Sequence, residues 1–162
     1  YRNEIAEERS EMFNRGHTIT PGAEAYEKAI AYFVRQIRAN LKSRVYFHRI
    51  TSAFRLVYYD LAVRILKQTR QVIPCYAGIS NAHLSPYGDV WPCCSLGYDK
   101  SMGNLREFDY DFQLLWKSPQ AEAVRAEIYN QTCSCPLANQ TYSNMLLHGP
   151  SLFRVLRELL RG

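Results

Sequence analysis

All five cysteines of this 162-residue chain fall between Cys75 and Cys135, and none lies in the long flanks on either side. That clustering constrains the chain more than any other feature. An odd, clustered set is a poor disulfide framework, which in small secreted domains normally uses even numbers. The opening YRNEIAEERSE is no secretory signal, so a reducing cytoplasm is the expected compartment, where clustered cysteines bind metal. Cys75 precedes, and Cys93 follows, a segment that reads as a β-hairpin, about 78–84 paired with 88–92 around Pro86-Tyr87-Gly88-Asp89. A hairpin returns the chain to its start, so these two sulfurs can converge at its open end. Cys133 and Cys135 can present two more thiolates from one tight loop. Four thiolates at one point repel one another and persist only around a cation or cluster; zinc and iron–sulfur both accept four cysteines. The wide, uneven spacing suits a multi-iron cluster better than a single tetrahedral zinc. Cys94, beside Cys93, is read as a small buried hydrophobe, with exchange for Cys93 as ligand the alternative.

The surroundings read as α+β: mostly helical, with a small antiparallel β-hairpin supporting a cysteine-ligated cluster. Residues 2–14 are a charged stretch with Gly16 at a helix end. Thr20-Pro21 offers a cap and first-turn proline for a helix over about 21–41, with Tyr26, Ile30, Phe33, Val34, Ile37 and Leu41 at helical spacing. A second helix over 46–70 carries Ile50, Phe54, Val57, Leu61 and Ile65 on one stripe, and Arg49, Arg55, Tyr59 and Arg64 on the other face. Its aromatics, Tyr46, Phe47, Phe54, Tyr58 and Tyr59, read as packing and amphipathic surface groups rather than a base-stacking platform. Gly103-Asn104 reads as a turn. Ser118-Pro119 caps a helix over 119–130 with Ala121, Val124 and Ile128 inward, and a last helix over 151–161 carries Leu152, Val155, Leu156, Leu159 and Leu160. The domains are expected at 1–72, 73–146 and 147–162. A net charge of +5 is too mild to argue for nucleic acid, and no apolar run approaches the roughly 18 residues of a membrane span.

The run Cys75-Tyr76-Ala77-Gly78, the glycine of Gly88-Asp89-Val90-Trp91-Pro92-Cys93, then Met102-Gly103-Asn104-Leu105-Arg106, Leu115-Trp116-Lys117-Ser118, Arg125 and Cys133-Ser134-Cys135 resembles the SPASM and twitch auxiliary-cluster domains of radical SAM enzymes. The resemblance spans about 73–146. It implies that Cys75, Cys93, Cys133 and Cys135 ligate one auxiliary [4Fe-4S] cluster, with Cys94 a possible substitute. Full SPASM domains carry about seven cysteines for two clusters; no cysteine follows Cys135 here, where Pro136-Leu137-Ala138-Asn139 occupies that stretch, so the resemblance is to the single-cluster twitch form. The C-x3-C-x2-C motif that holds S-adenosylmethionine in such enzymes is absent, and a complete barrel takes about 250 residues. S-adenosylmethionine and a second cluster would therefore belong to a missing upstream domain, and the start at Tyr1 favours a fragment over a free-standing relic. Implied partners are that N-terminal radical SAM barrel, a peptide or small-molecule substrate, and a reductant such as flavodoxin or ferredoxin. The residue-level alternative is a helical binding module held by one structural zinc. Arg106 and Arg125 read as surface or salt-bridge residues, Trp91 and Trp116 as packing groups that shield the site, and Asp109 and Asp111 as a solvated face. Histidine ligation by His83 or His148 would depart from the pattern.

Overall fold

The computed structural model describes residues 22–41, 45–130 and 134–161, with only the backbone of Tyr98. The stretch 2–14, the Thr20-Pro21 cap and Cys133 lie outside the described residues. Among these, the order is α1 (Ala23–Ala39), α2 (Tyr46–Gln68), β1 (His83–Leu84), β2 (Asp89–Trp91), β3 (Gly103–Asn104), α3 (Phe112–Trp116), α4 (Pro119–Tyr129), α5 (Ala138–Leu146) and α6 (Gly149–Arg161). Short 3-10 turns at Gly97–Lys100 and Leu105–Phe108 flank β3. The α+β reading holds: the helices dominate and the sheet is a three-stranded antiparallel one, in the order β1-β2-β3.

Helix α2 forms because its apolar residues recur every three or four positions, which puts them on one stripe. That stripe is Ser52, Ala53, Leu56, Val57, Leu61, Ala62 and Ile65, with Leu61 and Ile65 fully buried. Ile50 and Phe54, expected on the same stripe, are only half-buried at its edge. The helix ends where Thr69 turns left-handed at φ 50°. Around it pack α1, α5 and α6. Their shared core joins Ala53, Val57 and Leu61 to Ile73, Met145 and Val155. Helix α1 starts two residues later than expected, with Gly22 as its N-cap, and Phe33 points outward, so its stripe is narrower than its sequence period. In α6 only Ser151 and Val155 are buried; Leu152, Leu156 and Leu160 are exposed. Tyr46 and Phe47 are likewise exposed, at the first turn of α2.

A second core lies under the sheet: Cys75, Ala77, Val90, Cys93, Met102, Leu115, Ala121, Val124 and Ile128. Helix α4 is built as its sequence dictates. Ser118 Oγ accepts the Ala121 N–H at 3.2 Å, Pro119 occupies the first turn, and Ala121, Val124 and Ile128 face inward. Two expectations are corrected here. The first arm of the hairpin is strand only at His83–Leu84, because Tyr76 to Asn81 form a tight loop whose N–H groups bond back within it (Ser80 N–H to Tyr76 C=O 2.8 Å, Gly78 N–H to Asn81 C=O 3.0 Å). Gly103-Asn104 is no turn but a third strand, since β2 offers its free edge to it in the register Asp89↔Asn104 and Val90↔Gly103. A helix at Ala138–Leu146 has no counterpart among the sequence expectations.

Candidate metal centre

The hairpin tip is a three-residue loop on a type I turn. Ser85 C=O accepts Gly88 N–H at 3.0 Å, and Ser85 N–H donates to Asp89 C=O at 2.9 Å. Ser85 Oγ accepts the N–H groups of Tyr87 and Asp89 at 3.1 and 3.0 Å. Gly88 closes the loop at φ +90°, which an L side chain rarely adopts. From this tip the chain runs through β2, pairing His83 with Trp91 and Leu84 with Val90, and delivers Cys93. The central position of β2 makes that delivery rigid. Val90 is fully buried, and its carbonyl accepts Met102 N–H at 2.7 Å.

Cys75 and Cys93 are both buried and belong to the same core, so the hairpin brings its two flanking cysteines into one apolar region. Cys135 arrives from beyond α4. Its Sγ lies 3.2 Å from Ser95 Oγ, two residues past Cys93. The Cys135 thiol is close enough to Cys93 to oppose its ionisation. Burial, the dominant cause, pushes the Cys93 thiol up to about 11; the backbone N–H groups of Leu96 and Ser95 pull it down, while Cys135 and Cys94 push it up again. Those N–H groups are turned inward by a tight bend in which Gly97 N–H bonds Cys93 C=O at 3.1 Å. At Cys135 the same device recurs, with Leu137 N–H donating to its Sγ at 3.4 Å. An apolar pocket penalises a lone thiolate, but N–H groups aimed at sulfur favour a ligated one. The donor set therefore fits soft, thiolate-bound metal.

Cys133 lies outside the described residues. Among the described residues no three His, Cys, Asp or Glu side chains form a group that could hold an ion. Cys93 and Cys94 are free thiols. Cys94 is half-buried and outside the core, which corrects its reading as a buried hydrophobe.

The flanking residues sort differently from expectation. Trp116 is half-buried against the cysteine core, as a packing group. Trp91 stacks on His83, their rings parallel at 6.4 Å. His148 Nδ1 sits 2.8 Å from Ser151 Oγ, a side-chain contact across the start of α6. Arg106 is exposed, as a surface residue should be. Arg125 is not: its stem packs at Gly78, its guanidinium lies over the Trp116 ring at 5.2 Å, and it donates to Trp116 C=O at 2.8 Å. Its other terminal nitrogen is buried without a hydrogen-bond partner among the described residues. Asp111 is exposed, but it also caps α3 by accepting Gln113 and Leu114 N–H at 2.8 and 3.2 Å. An apolar groove of about 390 Å³ lined by Phe54, Arg55, Tyr142 and Leu146 contains none of the cysteines.

The hairpin, the neighbouring Cys93 and Cys135, and the N–H groups turned on their sulfurs make this region a candidate thiolate site. Residues 75–136 match the SPASM family, described as an iron-sulfur cluster-binding domain. The match is confined to these residues and agrees with a SPASM/twitch-type domain fragment. No curated protein and no solved structure matches the chain. Among the described residues no helix is long and apolar enough to cross a membrane.

Proposed function

We propose that this chain is the auxiliary-cluster part of a radical SAM enzyme and that Cys75, Cys93, Cys133 and Cys135 hold one [4Fe-4S] cluster. The observation that carries the reading is the SPASM match over a segment whose Cys93 and Cys135 converge, each with backbone N–H groups directed at its sulfur. When bound, such a cluster supplies one-electron redox chemistry. The chain's own contribution is to exclude water with the buried core around Cys75 and Cys93, and to offset thiolate charge with the N–H groups of Ser95, Leu96 and Leu137. In this reading the segment 1–72 joins a preceding barrel that binds S-adenosylmethionine. The substrate is a peptide or small metabolite, and a flavodoxin or ferredoxin supplies electrons in the cytoplasm.

Anaerobic reconstitution with iron and sulfide tests it. About four irons and four acid-labile sulfides per chain are expected, with a brown, oxygen-sensitive product. Cys75→Ala and Cys93→Ala should each lose the iron, and Cys94→Ala should keep most of it. Full iron in both of the first two variants overturns the ligand set. One zinc without sulfide would establish a structural zinc module instead.

A further inference from the structure

The SPASM match ends at residue 136, yet two of the side chains that hold its ends together lie outside it. Gln71, on the irregular segment after α2, is buried, and its Nε2 donates to Cys135 C=O at 2.8 Å across a separation of 64 residues. In the opposite direction, Asn144 on α5 is 1% exposed, and its Oδ1 accepts the N–H of Tyr76, the residue after Cys75, at 2.8 Å across 68 residues. Gln140, one turn earlier on α5 and also buried, donates from Nε2 to that same Oδ1 at 2.8 Å and so fixes the orientation of the Asn144 amide. Tyr58 on α2 adds a third tie, its hydroxyl donating to Pro136 C=O at 3.2 Å. Each amide carries a bond between the segment that presents Cys75 and the segment that presents Cys135.

The geometry points to Gln71 and Asn144 as positioning residues: a reciprocal amide cross-brace that sets Cys75 and Cys135 relative to each other for cluster ligation. The physical case rests on burial. An amide buried beyond water's reach must find its partner in the protein, so each brace is held to one geometry. A helix packed only for stability would place apolar residues at these positions. Here α5 buries Gln140, Thr141 and Asn144 beside Met145. The functional unit accordingly extends past the family match to the end of α5. This inference rests on the cluster reading above.

The test uses the full chain, reconstituted anaerobically, with iron release to a ferrous-iron chelator as one readout. The second is the electron paramagnetic resonance spectrum after dithionite gives one electron to the cluster, taking its core from 2+ to 1+ with no bond made or broken. Asn144→Leu and Gln71→Met should each release iron about 10- to 100-fold faster, the usual consequence of losing a group that orients a ligand, and should shift the g-values. Ser143→Ala, on the same helix but outside the brace, should match wild type in both. Folded Asn144→Leu and Gln71→Met proteins with wild-type release and unchanged g-values overturn the brace, as does a Ser143→Ala protein equally labile. If Asn144→Leu fails to fold, Gln71→Met decides by the same two readouts. Wild-type protein that takes up no iron overturns the cluster reading itself, whereas loaded wild type with indifferent variants overturns the brace alone.

Discussion

Replacing Gly88 with alanine should unlock the hairpin that carries Cys93. At φ +90° an alanine pays about 1–2 kcal/mol for left-handed backbone alone. The new Cβ would also stand 2.9 Å from Asn104 Oδ1. Asn104 cannot yield cheaply. Its Oδ1 accepts Arg106 N–H at 3.0 Å, and its Nδ2 donates to Asp89 Oδ1 at 2.7 Å and to Tyr87 C=O at 3.2 Å. Displacing it forfeits one or two hydrogen bonds of about 0.5–1.5 kcal/mol each. The expected total is about 2–4 kcal/mol, or roughly 30- to 1,000-fold in the local unfolding equilibrium. Urea titration of the metal-free protein, followed by tryptophan fluorescence, reads it directly, because Trp91 lies on β2. Gly149→Ala serves as the control. Nothing lies within 4 Å of its Cβ position, and it opens α6, so it should be neutral or slightly stabilising. A Gly88→Ala midpoint within about 0.5 kcal/mol of wild type would refute the argument, because surface changes without strain fall in that range.

Ile65→Ala removes a fully buried side chain from the wall of α2 and should cost about 2–5 kcal/mol in thermal or urea unfolding. Ser118→Ala removes the cap of α4 and should cost about 1 kcal/mol, with a matching loss of helical circular dichroism. For the metal-free protein, the Cys93 thiol ionises at about 11 when folded against an ordinary value of 9.0. The unfolded chain therefore ionises first. The Cys93 contribution should be complete below pH 9 and fade as pH rises through about 11. Urea midpoints across that window should converge for wild type and Cys93→Ala, and parallel curves would refute the assignment.

Legibility in the sequence followed the kind of force at work. Ser118-Pro119 and the apolar spacing behind it announced α4, because a cap and a period are local facts. The tip at Pro86 to Asp89 was legible for the same reason, and so were the two cysteines that the hairpin returns to one core. Helix α5 was not. Its buried face carries Gln140, Thr141 and Asn144, so its periodicity reads as polar and only tertiary hydrogen bonds explain it. Gly103-Asn104 carries turn-forming residues, yet pairing with β2 overrode the local preference. Arg125 looked like a surface arginine because nothing near it in sequence shows that Trp116 folds over it. The N–H groups that address the Cys93 and Cys135 sulfurs leave no sequence signal, since every residue but proline has one.

Ile73 sits in the helical core and Cys75 in the cysteine core, two positions apart along an irregular strip of chain. Two cores joined this way can melt as separate cooperative units. A cofactor bound only by folded protein raises the stability of the unit that grips it, by an amount set by its concentration relative to its dissociation constant. The strip and the amides of Gln71 and Asn144 decide how much of that gain crosses to the helices. Calorimetry of the metal-free chain should therefore show two transitions. Loading should move the cysteine-core transition upward, and the distance the helical one follows would measure the stiffness of this joint.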